Sequence, residues 1–298
     1  LVKDPMTRKL ESKFIFAVKN LEKEFFVLTC GEHEGPRGVN RIVEKSLKSI
    51  IQPKEKGPLY DAMFAAAREI GIQTNRDYNG EFQDGVAMTQ ATISRGKRQS
   101  TAVAYLKPAR IRKNLTVLTD SYITKLILKN NKCIGIEYLK NNTTYKLLAN
   151  REVIVCAGTI NSPQLLELSG IGDAETIKNK GIVVEHNLPG VGKNLRDHYA
   201  PRMKWTIQKK GYTYNDKARG LGLMWQAAQY VLFKKGFLSL PAAPMRAYVR
   251  SREGLLSPDL GISVNPFLIT DGVKLSKESG LTMAVHVLRS ESTGTIHI

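Results

Sequence analysis

Residues 153 to 172 restrict what this chain can fold into more than any other stretch. Val153-Ile154-Val155-Cys156 is an apolar, β-branched run of the length of a buried strand. Ala157-Gly158 follows as a tight turn. Ser162 is placed to cap a helix N-terminus, and Pro163 suits a first helical position, where its missing N–H would be unpaired anyway. Gly170 is placed to stop that helix in a left-handed conformation. The expectation is strand, tight turn, short helix and glycine stop. Small residues at the end of a buried strand also let a ligand come close to the main chain.

Gly158, Ser162, Pro163, Leu165, Leu166, Ser169, Gly170, Ile171 and Gly172 resemble, without a gap, a sequence signature of the glucose-methanol-choline (GMC) oxidoreductases. These are flavoenzymes that oxidise alcohols with FAD. Two further blocks resemble the same family. One is Asp77-Tyr78-Asn79-Gly80, Gly85-Val86, then Gly96, Arg98, Ser100 and Ala104-Tyr105-Leu106. The other is Pro189-Gly190-Val191-Gly192, Asn194-Leu195 and Asp197-His198. Ser292-Thr293-Gly294-Thr295-Ile296 resembles a later family strand, so the resemblance covers about residues 57 to 298.

Composition narrows the class without identifying it. Hydrophobic content of 42% and charged content of 24% over 298 residues are those of a globular protein with a sizeable core. No apolar run approaches the roughly 20 residues that span a bilayer. Cys30, Cys133 and Cys156 are widely spaced and form neither a CxxC motif nor a disulfide framework, which favours a reducing, cytoplasmic setting. Cys156 is expected in the core. The net charge of +18 points towards polyanions. The basic residues are scattered and not interleaved with aromatics, which favours an ordinary basic surface over nucleic-acid or anionic-membrane binding, with peripheral association with an inner membrane as the lesser alternative.

Several elements are expected along the chain. Leu59 to Ile70 has helical spacing, with Leu59, Met63, Phe64, Ala67 and Ile70 on one side and Gly71 as its stop. Gly85 to Ile93 alternates as a strand, and Thr101 to Leu106 reads as a helix. Asn114 to Thr119 reads as a strand. Tyr122 to Leu128, Cys133 to Leu139 and Thr144 to Leu148 form an antiparallel meander through Asn130-Asn131 and Asn141-Asn142 turns. Pro201 to Gln208, Tyr248 to Ser251, Asp259 to Pro266 and Thr282 to Leu288 read as strands of a second sheet. Arg219 to Lys235 reads as a helix with Leu223, Ala227, Tyr230 and Val231 on its apolar face. Apolar patches at Phe14 to Val18 and Phe25 to Leu28, and a loop from Gly31 to Gly38, lie in a first segment (residues 1–57) that carries no recognisable motif.

The resemblance implies an α/β protein: part of an FAD-binding Rossmann-like domain over 103–200 and part of an α+β substrate domain with a mainly antiparallel sheet over 201–298. Residues 58–102 are expected between the domains, near the cofactor. It implies that Ala157 and Gly158 approach the ribose-pyrophosphate side of FAD and that the backbone of Ile123 meets the adenine. The substrate is expected to be a small primary alcohol, with oxygen or another carrier as electron acceptor and no metal. No Gly-x-Gly-x-x-Gly phosphate turn follows a first strand. The resemblance implies that this turn precedes Leu1, that the catalytic pair follows Ile298, and that the chain is the central fragment of an enzyme inactive without those parts. His198 is assigned a structural or positioning role; His286 and His297 are read as packed or surface side chains. Choline-oxidising relatives are expected to hold the cation with an acid or an aromatic cage. Phe237 to Ser251, where part of that pocket is expected, contains no acid, so a generic alcohol stands level with choline.

Overall fold

The computed structural model describes residues 50–51, 57–270 and 274–298. The patches and loop expected within 1–49, and Cys30, lie outside them. Thr101–Arg196 and Ser292–Ile298 form one compact unit. Asp197–Glu291 and the described part of Gly35–Ser100 form another.

In the first unit, Tyr122–Lys129, Lys132–Lys140 and Thr143–Leu148 make the expected antiparallel meander. Its turns work as two-residue hairpin loops because Asn130, Asn131, Asn141 and Asn142 all take positive φ, between 49° and 59°. Asparagine tolerates that region better than most side chains, and the resulting turn twist matches that of the strands. The helix Gly158–Leu168 lays Leu165 on Leu126 and Ile136 of the sheet, with Val153, Val155 and Ile171 around them. The pairs Ile171–Gly172 with His186–Asn187 (parallel) and Lys193–Leu195 with Gly294–Thr295 (antiparallel) complete the unit's strands. A short helix covers residues 101–109, with a π-turn over Ala102–Leu106.

The second unit is built on a five-stranded antiparallel sheet in the order Arg202–Thr206, Gly280–Val287, Leu260–Asn265, Met245–Val249, Gly85–Met88. Alternation along the strands sends side chains to both faces. On one, Val86, Met245, Ala247 and Val264 meet Tyr60, Met63, Phe64 and Ala67 of the helix Pro58–Glu69. On the other, Ala87 and Tyr248 pack with Tyr78 and Leu288.

Some expectations need correction. Val153–Cys156 is half-buried irregular chain with Ile154 exposed, and Cys156 is only partly buried. Apolar content favours a strand, but a strand also needs a hydrogen-bonded neighbour, and none pairs with this segment among the described residues. Asn114 to Thr119 is irregular for the same reason, with only Val117 in a bridge. The helix expected to start at Ser162-Pro163 starts at Gly158, which puts Pro163 inside it. Gly85 to Ile93 is two strands, Gly85–Met88 and Ala91–Ser94, because Thr89 turns aside to donate its N–H to Pro244 and its hydroxyl to Ala243. Ile70, expected on the packed side of its helix, is exposed.

The helix Gly220–Phe233 is also turned differently from expectation. Ala227 and Tyr230 are half-buried, but Leu223 and Val231 are exposed. The chain after the helix returns beside Gln226, whose side-chain oxygen accepts the Phe237 N–H. A polar face therefore turns inward.

Candidate functional site

The site expected from the sequence centres on the turn before Gly158–Leu168. Ala157 sits at φ −84°, ψ 0°, in a sparsely occupied part of backbone space, and Gly158 follows at φ +86°. A Cβ built on Gly158 would meet nothing within 4 Å, so the main chain there borders open space. No side chain caps the helix, and Pro163 cannot donate to Thr159. The helix start thus offers, at the positive end of the dipole, backbone N–H groups that no side-chain cap takes up among the described residues. This arrangement fits a phosphate- or ribose-bearing group that approaches the main chain.

Ile123 lies on Tyr122–Lys129, an edge strand of the meander, where register shifts between Ile123 and Lys125. Its side chain is half-buried beside the Leu126, Ile136 and Leu165 cluster. The strand of Ile123 and the helix that starts at Gly158 therefore share one core. Among the described residues no strand pairs with the other side of that edge, where Ser169 takes the Leu126 N–H.

The far end of the helix explains why the signature reads as it does. The buried Ser169 hydroxyl donates to Leu165 C=O at 2.6 Å and accepts the Leu126 N–H at 2.8 Å, which ties helix to sheet edge. Gly170 takes φ +84°, and a Cβ on it would lie 2.4 Å from Val183 C=O. Asp173 caps the helix Ala174–Asn179; hydrogen bonds from the Thr176 N–H and hydroxyl hold its carboxyl below the ordinary value.

Sequence reasoning missed Glu167. Its side chain is completely buried, with His297 Nδ1 at 2.6 Å and the Ile298 N–H donating at 2.9 Å. The available signal was an acid between Leu166 and Leu168, at a helical position that faces the core. His297 is therefore the acid's partner, with its side chain 25% exposed. His198 is exposed, and its ring stacks on His286 at 5.8 Å. Among the described residues no group of three or more His, Cys, Asp or Glu side chains is placed to hold a metal ion.

In the second unit an open cleft of about 720 Å³ is lined by Thr206, Lys210, Asp216, Arg219, Lys277 and Ser279. Asp216 closes a capping box with Thr213 and also accepts from the Gly211 N–H and the Ser279 hydroxyl.

Comparison with known proteins extends these observations. A family model described as GMC oxidoreductase matches residues 28–200. The oxygen-dependent choline dehydrogenase of Brucella suis biovar 1 (strain 1330) is 35% identical over 272 residues, which are 89% of this chain and 47% of that protein. Pyridoxine 4-oxidase from Mesorbium loti superimposes with a TM-score of 0.68 at 22% identity, covering 84% of this chain and 45% of that one. An FAD-dependent oxidoreductase from Chaetomium thermophilum gives 0.70 at 20%, covering 82% and 49%. The chain spans about half the length of the curated relatives it matches.

Proposed function

The chain belongs to the GMC oxidoreductase family, and from that membership we propose that it supplies the central part of an FAD-dependent enzyme that oxidises a primary alcohol to an aldehyde. The carrying observation is 35% identity over 89% of the chain with a choline dehydrogenase. The uncapped, glycine-bordered helix start agrees with it. In this reading Thr101–Arg196 with Ser292–Ile298 is part of the cofactor-binding domain, and Asp197–Glu291 part of the substrate domain.

Bound FAD supplies the hydride acceptor. The protein's contribution here is binding and orientation. The N–H groups after Ala157 and Gly158 would meet the pyrophosphate or ribose, and the edge backbone at Ile123 the adenine. Ser169 keeps those elements in register through its paired hydrogen bonds to helix and strand. The groups that take the alcohol proton are assigned to no residue of this chain. Choline is the first alcohol to test, because of the relatives. The lack of any acidic residue between Asp216 and Glu253 keeps uncharged primary alcohols beside it. Oxygen or another carrier would reoxidise the cofactor.

The test is the visible spectrum of the protein expressed from its complete reading frame. Oxidised flavin absorption that bleaches anaerobically on adding choline or another primary alcohol is expected. A colourless protein that cannot be reconstituted with FAD would overturn the reading.

A further inference from the structure

No Asp or Glu occurs in any strand of the second unit's five-stranded sheet. Its Lys and Arg side chains, Arg202, Lys204 and Arg246, all fall on the face of Ala87 and Tyr248, since the opposite face packs on Pro58–Glu69. The register aligns Arg202, Ala284, Ser263, Arg246 and Ala87 in one row across all five strands. Arg202 and Arg246 are thus three strands, about 14 Å of backbone, apart. Only the small side chains of Ala284 and Ser263 stand between them. The row beside it is filled by rings. His286 lies over Gly261, where a Cβ would come 2.5 Å from its Nε2, and Tyr248 packs on Tyr78. At the strand ends, Asp84 is held by Arg250 and Asp259 by Ser251.

We propose that this row binds an oxyanion, carboxylate or phosphate, and that the primary alcohol oxidised by the enzyme carries one. Arg246 is half-buried beside the Ser263 hydroxyl, and its planar fork of N–H donors matches the oxygens of either group. Arg202, exposed on the edge strand, adds the charge that draws an anion onto the face. Choline would meet like charge there, which selects against it. The inference rests on the proposed function for the reaction and goes beyond it in naming the substrate class.

Two measurements on the protein expressed from its complete reading frame separate the site from the reaction. Titration calorimetry with butyrate and with methyl phosphate reads the site without turnover. Binding of at least one is expected, weakening with salt, and the better ligand tells carboxylate from phosphate. Arg246→Gln should weaken it about tenfold or more, and Arg246→Lys less. In steady-state oxidation, 4-hydroxybutyrate or 2-hydroxyethyl phosphate should exceed 1-butanol and choline about tenfold or more in kcat/KM, mainly through KM, and Arg246→Gln should erase that preference. If Arg246→Gln fails to fold, Arg202→Gln, at an exposed edge position, should still weaken binding several-fold. A colourless protein that binds either anion through Arg246 would end the proposed oxidation and leave the anion site standing. Three results would overturn the proposal. The first is binding of neither anion. The second is folded Arg246→Gln that binds as wild type does. The third is a kcat/KM for choline or 1-butanol that equals or exceeds those of both anionic alcohols.

Discussion

Glu167 holds His297 at 2.6 Å across 130 residues of sequence, and its other carboxylate oxygen accepts the Ile298 N–H. One fully buried acid thus joins the helix Gly158–Leu168 to the chain that returns as Ser292–Ile298. Replacing the acid takes the acceptor from the Ile298 N–H and from the His297 ring, whose side chain is 25% exposed. Glu167→Leu is therefore expected to destabilise the protein by about 2–4 kcal/mol, from the two hydrogen bonds lost. Glu167→Gln, which keeps one acceptor, should cost about 1–3 kcal/mol. Urea unfolding would measure both. A double-mutant cycle with His297→Ala should be non-additive by about 1 kcal/mol or more, and additivity would dissolve the proposed coupling.

Gly170 and Gly181 separate two costs of replacing glycine. Both have positive φ, +84° and +71°. A Cβ on Gly181 meets nothing within 4 Å, whereas one on Gly170 lies 2.4 Å from Val183 C=O and 2.8 Å from Glu185 Cγ. Gly181→Ala should cost only the backbone strain, about 1–2 kcal/mol. Gly170→Ala adds a main-chain collision and should lower soluble yield and thermal midpoint well beyond Gly181→Ala. Equal midpoints would mean that the strand pair at Ile171–Gly172 shifts to accommodate the methyl.

These contrasts mark what was legible. The Asn130-Asn131 and Asn141-Asn142 turns and the Gly170 stop are decided within a few residues, so local chemistry announces them. Tyr60, buried in the second unit's core, is not legible locally, because a helix pattern gives a stripe but not its centre. The partner of Glu167 lies 130 positions away, beyond any local pattern. Val153–Cys156 is legible as apolar but not as lacking a strand partner among the described residues, since pairing belongs to a neighbour. The helix Gly220–Phe233 was legible as a helix. Its facing was not, because the returning chain at Phe237 decides which side turns inward.

Asp216 makes acid stability testable. Burial alone would raise its pKa. The Ser279 and Thr213 hydroxyls and the Thr213 and Gly211 N–H groups outweigh burial and hold it below the ordinary value of 3.8. Between those two values the unfolded chain carries the proton and the folded one does not. The stabilisation is therefore present above pH 3.8 and is lost as pH falls through the lower, folded value. Asp216→Asn should be less stable than wild type at pH 6, by about 1 kcal/mol for a surface-accessible network. The gap should narrow as pH is lowered below 3.8. Urea midpoints across that range would show it, and parallel curves would remove Asp216 from the acid response.

Gly158→Ala tests the cofactor contact with Gly181→Ala as its control. Both glycines sit at positive φ with open space where a methyl would go, so similar strain is expected from each. The difference is location. A methyl at Gly158 would stand in the space beside the uncapped helix start, where a ribose or pyrophosphate would approach. Flavin retained per mole of the protein expressed from its complete reading frame should fall several-fold in Gly158→Ala and stay near wild type in Gly181→Ala, at matched thermal midpoints. Equal flavin content in the two variants would move the contact away from Gly158, because strain alone would then account for everything the methyl does.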